Sequence, residues 1–571
     1  MKSTYLISSI AIMAAISLTG CNDFLNDNRY PLSSQTVNSE FWSNPENVQN
    51  QINYFYEDYS GYGNGTGGGT FYWSWLSDDQ CGRTAFNDWT YKTTQPSMSA
   101  WNSPYIEIRR ANLVLQGVES STLQESDKTN FTALARLHRG RNYYYLVQRF
   151  GDVPLVTTPL DPASEAELFG PRTPRNEVMD FVLQDLDYAC ENIATVSGKT
   201  LLSRDMANAF KLEVCLYEGA YAKYHLKDEA RARKFYDEAI KAGESIASKY
   251  PINPKYLSLY QSARVAGLGY EGLSANNEII MFKPYQEGVF MNSISDYSNA
   301  SDGVAGITRD AFEAFVFKDG LPASKTTYDT TDKGVAVGDN ALSIQNLLDV
   351  RDDRLGFITY PNVFFQGLSW SAPNTTGMWS STGYGISKFN NPEVPATVVN
   401  EINKNYLCAP LFWGARLYVG ILEAKAENGT LTDADINTYM KPLWERAGID
   451  TSKLNKAFLE SIGDPANNMG VSSLIWEIRR LRRCELMLDD GIRYWDLVRW
   501  HQLELLDTSK HPNVILGANI ANSPIPCTVA TGDYVNGSFG QSRTFEDKYY
   551  LYPVPTGQIE LNNKLTQNPG W

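Results

Sequence analysis

Over long stretches of this 571-residue chain the apolar residues follow a helical period. Met206, Phe210, Val214, Tyr217, Tyr221 and Tyr224 recur at spacings of three and four, which places them on one stripe of a helix. Ser203 stands where such a helix needs a capping hydroxyl. After Asp228 a second stripe, Ala232, Phe235, Ala239, Ala242, Gly243 and Ile246, is built largely of small residues, so a neighbouring helix can approach it closely. The two segments predict a helical hairpin. The same periodicity predicts helices over about 101–119, 127–150, 174–195, 410–428, 432–448 and 471–489, with a short one over about 495–506.

Between about 252 and 405 the period lapses into Gly, Ser, Asn, Thr and aromatics, as in GMWSSTGYG at 377–385. A run at 61–70 holds six glycines. Aperiodic stretches of this length inside a folded protein usually carry function. Trp73 and Trp75 alternate as they would in a strand, which predicts one of them in the core. The expected fold is mainly α: a helical scaffold from about 101–250 and 406–508, and a loop-rich region with short strands from about 60–100 and 252–405. The hairpins resemble tetratricopeptide units, with only an approximate period.

The first residues change the picture. Lys2, an apolar run over about 5–16 and the closing Leu18-Thr19-Gly20-Cys21 read as an export signal that ends in a lipobox. The run is shorter than the roughly 20 residues a bilayer-crossing helix needs. We therefore expect a signal peptide over 1–20, a lipid on Cys21 and a single domain over 21–571 held on a membrane by acyl chains.

Composition narrows the ligand. The formal charge is −15 and no basic run is interleaved with aromatics, which argues against nucleic acid. It also favours a neutral ligand over an anionic one unless a local basic pocket intervenes. Aromatics make up 12% of the chain, with 34 Tyr and 13 Trp, more than a core usually demands. The six cysteines after Cys21 are scattered and only four histidines accompany them, so neither a zinc site nor a disulfide framework is expected. No cofactor is expected; the Asn/Asp-rich loops leave room for a structural calcium ion, without EF-hand spacing to support one.

Three segments carry a resemblance. Residues 139–156, RGRNYYYLVQRFGDVPLV, form an aromatic helix that a glycine ends before a Pro-containing extended stretch. Residues 483–500 read RCELMLDDGIRYWDLVRW, and the tail pairs YLYPVP at 550–555 with LTQNPGW at 565–571. Together they resemble the SusD/RagB family, the starch-utilisation-system D type. Asp489-Asp490 departs from that family's more usual acidic-plus-Glu pair. Glu485, Arg493, Asp496 and Arg499 are read as a structural ion-pair network, because carboxylates interleaved with arginines at helical spacing rarely do acid–base chemistry. Trp101 is read as packing.

The resemblance implies a surface lipoprotein of the outer membrane that captures glycan and delivers it to a SusC-like TonB-dependent transporter. It further implies a pocket drawn from the loop ahead of the first long helix and from mid-chain loops. Sugars stack their C–H faces on rings and offer hydroxyls to polar side chains. On that basis the ligand-binding candidates are Asp78, Arg83, Trp89 and Tyr91, then Tyr297, Trp370 and Trp379. No segment is a catalytic motif, and the chain is expected to be a binding protein, not an enzyme. A lipid-anchored glycoside hydrolase is the main rival, and it needs two carboxylates facing across a cleft. Asp78-Asp79 and Asp352-Asp353 are adjacent and point opposite ways in extended chain. A RagB-like protein that captures peptide or glycoprotein is the other rival, and a purely structural hairpin scaffold is a third.

Overall fold

The structure is a computed structural model. It describes residues 39–63, 69, 71–82, 93–161, 163, 165–261, 272–299, 306–365, 380–399 and 401–571, with side chains described except at 71–73, 166, 167, 297 and 299.

Long helices form the frame: α1 (Pro45–Asn53), α2 (Ser99–Glu119), α3 (Glu125–Phe150), α4 (Arg175–Asn192), α5 (Arg204–Tyr221) and α6 (Glu229–Ala247). Each from α2 onward packs on its successor, and α6 then packs on a later helix, α8 (Gly414–Glu427), which in turn meets α10 (Ser473–Glu485). The Ser203 cap is the one the sequence predicts, and Asp228 caps the helix that follows it. Ser203 Oγ accepts from the Met206 amide and Asp228 from the Arg231 amide, each satisfying a donor the helix leaves open. At the end of α3, Gly151 takes φ +71°, a conformation that costs a Cβ-bearing residue energy.

The small-residue stripe of α6 does what its pattern predicts. A Cβ on Gly243 would lie 2.4 Å from Leu212 of α5 and 2.6 Å from Ile421 of α8, so three helices close on one hydrogen atom. Gly420 of α8 meets Leu212 in the same way. Trp101, Phe210, Ile246 and Ile421 are buried in the continuous core.

Several boundaries differ from the sequence reading. Residues 410–413 belong to a strand, Ala409–Trp413, which pairs antiparallel with Ile279–Lys283; both are buried pairs of apolar runs too short for periodicity to separate strand from helix. The predicted helix over 432–448 is broken by a π-turn at Ile436–Met440 before α9 (Lys441–Arg446) resumes. Residues Phe71–Leu76 form a 3₁₀ turn, not a strand, although Trp75 does pack against the core. The loop-rich middle carries a four-stranded antiparallel sheet that includes Thr359–Val363 and Tyr384–Ile386, and short helices such as α7 (Arg309–Ala314). Among the described residues no helix is long and apolar enough to cross a membrane. The six described cysteines are free, four of them buried.

Candidate functional site

Three segments distant in sequence meet along one seam. Gln80 forms an antiparallel bridge with Ile307, the Cys81 amide donates to Gly306 O at 3.0 Å, and the Thr308 amide donates to Asp79 O at 3.1 Å. Ser381 Oγ donates to Cys81 O at 2.5 Å, which ties in the third segment. Gly306 is required for this approach: a Cβ there would fall 2.2 Å from Ser380 Oγ and 2.3 Å from Thr382 Oγ1. The short helix Ile294–Asn299, which carries Tyr297, packs against strand Tyr384–Ile386 beside the seam.

Of the sequence candidates, most fall outside what the structure describes. Arg83, Trp89 and Tyr91 lie in 83–92, and Trp370 and Trp379 in 366–379; these residues, with Cys21, lie outside the described ones, as does the Tyr297 side chain. The described ends of those stretches, Gly82 and Ser380, are both at the seam. Asp78 is the one candidate whose side chain is described. It is buried at 2% exposure, and Arg493 Nε and Nη2 donate to its two oxygens at 2.7 Å each. Its carboxylate is therefore committed to the protein.

Beneath the seam the charges are fully built in. Arg483 donates to Asp79 Oδ1 at 2.7 Å, to Asp310 Oδ2 at 2.8 Å and to the Asp78 carbonyl at 3.1 Å. Burial opposes the ionisation of Asp78, but Arg483 and Arg493 outweigh it and hold its carboxyl well below the usual range. Burial, reinforced by the Asp78 charge, pushes neighbouring Asp79 up to about 6. Gln80 is fully buried, and among the described residues neither atom of its side-chain amide has a hydrogen-bond partner.

The arginine-rich segment read as scaffold is scaffold. From α10 and α11 (Ile492–Arg499), Arg482 donates to Asp496 at 2.9 Å, and Arg499 pairs bidentately with Glu423 at 2.6 and 2.7 Å. Glu485 accepts from Arg354 at 2.8 Å and from Arg446.

Two cavities flank this network. One, of about 770 Å³, is lined by Tyr144, Tyr145, Gln148 and Arg149 of α3, by Tyr217 of α5 and by Trp495 of α11. Sequence reasoning placed these motif residues in the scaffold alone; the signal it passed over is the density of polar and aromatic residues at 141–149, beyond what one buried helix face needs. The carboxylates of its wall are neutralised by guanidinium groups. Burial works against ionisation at Glu213 and Asp496, yet Arg416 with Arg482 at the first and Arg482 with Arg499 at the second keep both below the ordinary range. The other cavity, of about 390 Å³, has Asp78, Asp310, Trp476, Arg480 and Lys510 in its wall. Among the described residues no group of His, Cys, Asp and Glu is placed to hold a metal ion.

Comparison with known proteins fits this geometry. Residues 277–571 match a family model described as the SusD family, and residues 33–211 match a second, described as starch-binding associating with outer membrane. The chain belongs to the SusD family. SusD-like protein P2 of Formosa agariphila is 31% identical over 160 residues, 26% of this chain and 31% of that protein, so the match spans about a third of that relative's length. A SusD-like carbohydrate binding protein of Bacteroides fragilis superposes with a TM-score of 0.68 at 20% identity, covering 92% of this chain and 100% of that one. A laminarin binding SusD-like protein superposes with a TM-score of 0.56 at 18% identity, covering 92% and 99%. These structures share the mainly helical fold.

Proposed function

We propose that this protein captures a glycan at the seam with the aromatic-rich stretches that adjoin it in sequence, leaves its bonds intact, and delivers it to a SusC-like TonB-dependent transporter of the outer membrane, to which a lipid on Cys21 tethers it. The observation that carries the reading is the convergence of the 77–82, 306–308 and 380–382 segments on one ion-paired floor. Gly82 and Ser380, which adjoin the aromatic-rich stretches 83–92 and 366–379 in sequence, stand at that floor. Membership of the SusD family and the carbohydrate-binding names of its relatives support the same ligand class.

A hydrolase needs a carboxylic acid whose pKa is raised in the cleft, opposite a second carboxylate. In the 770 Å³ cavity the arginines drive Glu213 and Asp496 the other way. On the seam floor the carboxyl that burial raises, Asp79, is buried next to Asp78 in the chain and bonded to Arg483 at 2.7 Å instead of facing a second carboxylate across a cleft; both arrangements favour binding over cleavage.

A Trp-to-Ala series at Trp89, Trp370 and Trp379 tests the capture half. Each truncation that removes a stacking surface is expected to weaken calorimetric affinity by about tenfold, the scale of one buried ring; unchanged affinity across all three overturns the assignment. Co-purification of the transporter with the full chain in mild detergent tests delivery, and its consistent absence counts against that half.

A further inference from the structure

The turn that joins α10 to α11 holds Asp489-Asp490, the pair in which this chain departs from the family's usual acidic-plus-Glu residues. Its backbone is strained, with Leu488 at φ +68° and Asp490 at φ +48°. Residues that carry a Cβ keep such angles only where their surroundings impose them. The two carboxylates serve different partners. Asp490 accepts from Arg416 at 2.9 Å. Asp489, 8% exposed, accepts from Lys388 Nζ at 2.8 Å on one oxygen and from the Tyr260 hydroxyl at 2.8 Å on the other. The same ammonium donates to Met487 O at 2.6 Å, and Lys388 and Tyr260 are both fully buried.

These bonds close a ring with the seam. From Asp489 the chain runs into α11, whose Arg493 holds Asp78. From Lys388 it runs back through strand Tyr384–Ile386 to Ser381, which donates to Cys81 O, three residues from Asp78. The 77–82 and 380–382 segments are therefore locked twice, directly at Ser381 and at a distance at Asp489. The strand between the locks is itself fixed: Tyr384 stacks on Phe312 of α7 at 4.6 Å, and the Ser387 amide donates to Ile358 O at 2.8 Å.

We propose that Asp489 is a positioning residue of the seam: its ionised carboxylate, through Lys388, draws the 380–382 segment against the turn that carries α11, and the seam loosens when that carboxylate takes a proton. The proposal rests on the glycan-capture reading only in taking the seam as the capture site. Burial opposes ionisation of Asp489 and, with the Asp490 charge, outweighs Lys388 and the Tyr260 hydroxyl, so the carboxyl is pushed up to about 6. Burial also lowers the Lys388 ammonium, against the pull of Asp489. Tyr62 and Tyr256 feel the Asp489 charge as well, and Glu485 and Asp79 act on Lys388. Once Asp489 is protonated, Lys388 keeps the Met487 carbonyl and the face of the Tyr260 ring at 3.8 Å. Global stability runs the other way: the fold favours the protonated acid, a contribution complete below the ordinary value of 3.8 and lost as pH rises through about 6. Acidification thus frees the seam without unfolding the frame.

Hydrogen exchange on the soluble chain tests this without a glycan. The Cys81 and Ser387 amides donate to Gly306 O and Ile358 O. After correction for the intrinsic effect of pH, their protection in the wild type should fall about tenfold between about pH 7.5 and pH 5, the scale of one charge-assisted bond, while amides of α5 and α6 stay protected. Asp489→Asn, which cannot ionise, should show the loose seam at both pH values and match the wild type at the lower one. Wild-type protection that is the same at both pH values overturns the proposal. So does a pH response that survives in Asp489→Asn, which assigns the proton to Asp79, also pushed up to about 6. Calorimetry with laminarihexaose and maltohexaose at the same two pH values reads capture separately: affinity that holds while protection falls contradicts the seam as the capture site and leaves the lock at Asp489 standing.

Discussion

Replacing Arg493 with Met should unseat the floor of the binding seam. Arg493 makes two 2.7 Å charge-assisted bonds to Asp78, a carboxylate 2% exposed. Removing one partner of a buried ion pair typically costs about 3–5 kcal/mol because a charge is left uncompensated. Arg483 remains 3.4 Å from the same carboxylate, so we expect the lower end, about 3 kcal/mol, for Arg493→Met. Asp78→Leu combined with Arg493→Met removes both charges and should cost less than Arg493→Met alone, with a coupling of about 2 kcal/mol. Urea unfolding of the soluble chain followed by fluorescence measures each corner of the cycle, and glycan affinity measured on the same variants should fall with Arg493→Met. A loss below about 1 kcal/mol for Arg493→Met, or a double variant that simply sums the singles, refutes the claim that this pair organises the seam.

Gly306→Ala should push Ser380 and Thr382 off the seam, because its Cβ would fall 2.2 and 2.3 Å from their hydroxyl oxygens; weaker glycan binding in calorimetry, with helix content by circular dichroism unchanged, is expected. Gly243→Val overfills the contact with Leu212 and Ile421 and should lose about 1–3 kcal/mol in urea unfolding. Glu477, lifted by burial to about 7 against the Arg480 charge, is favoured in its protonated form by the fold. Its contribution is complete below the ordinary carboxylate value of 4.5 and is lost as pH rises through about 7. Glu477→Gln should therefore gain on the wild type between pH 4 and pH 8, by about 3 kcal/mol at most. Unfolding curves at both values check it, and a wild-type advantage that grows with pH contradicts it.

The scaffold was legible because its signals are local. Periodic apolar positions, the Ser203 cap and the small face of α6 each act within a few turns, and each appears where the pattern put it. The ion-pair role of Arg493, Asp496 and Arg499 was legible from helical spacing, but their partners were not: Asp78 reaches Arg493 across 415 residues. That distance is why Asp78, polar and in a loop, reads as a ligand contact although it faces an arginine. The seam has no period at all, since backbone bonds such as Cys81 to Gly306 carry no side-chain pattern. The strand Ala409–Trp413 and the 3₁₀ turn at Phe71–Leu76 were misread because runs this short look alike in either geometry until their partners are known.

The central claim is capture without cleavage. The most direct measurement combines calorimetry on a glycan chosen by array screening of the soluble chain with chromatographic sizing of that glycan after prolonged incubation. The account predicts saturable binding and glycan recovered at its original length. New reducing ends, or no binding to any glycan on the array, would contradict it.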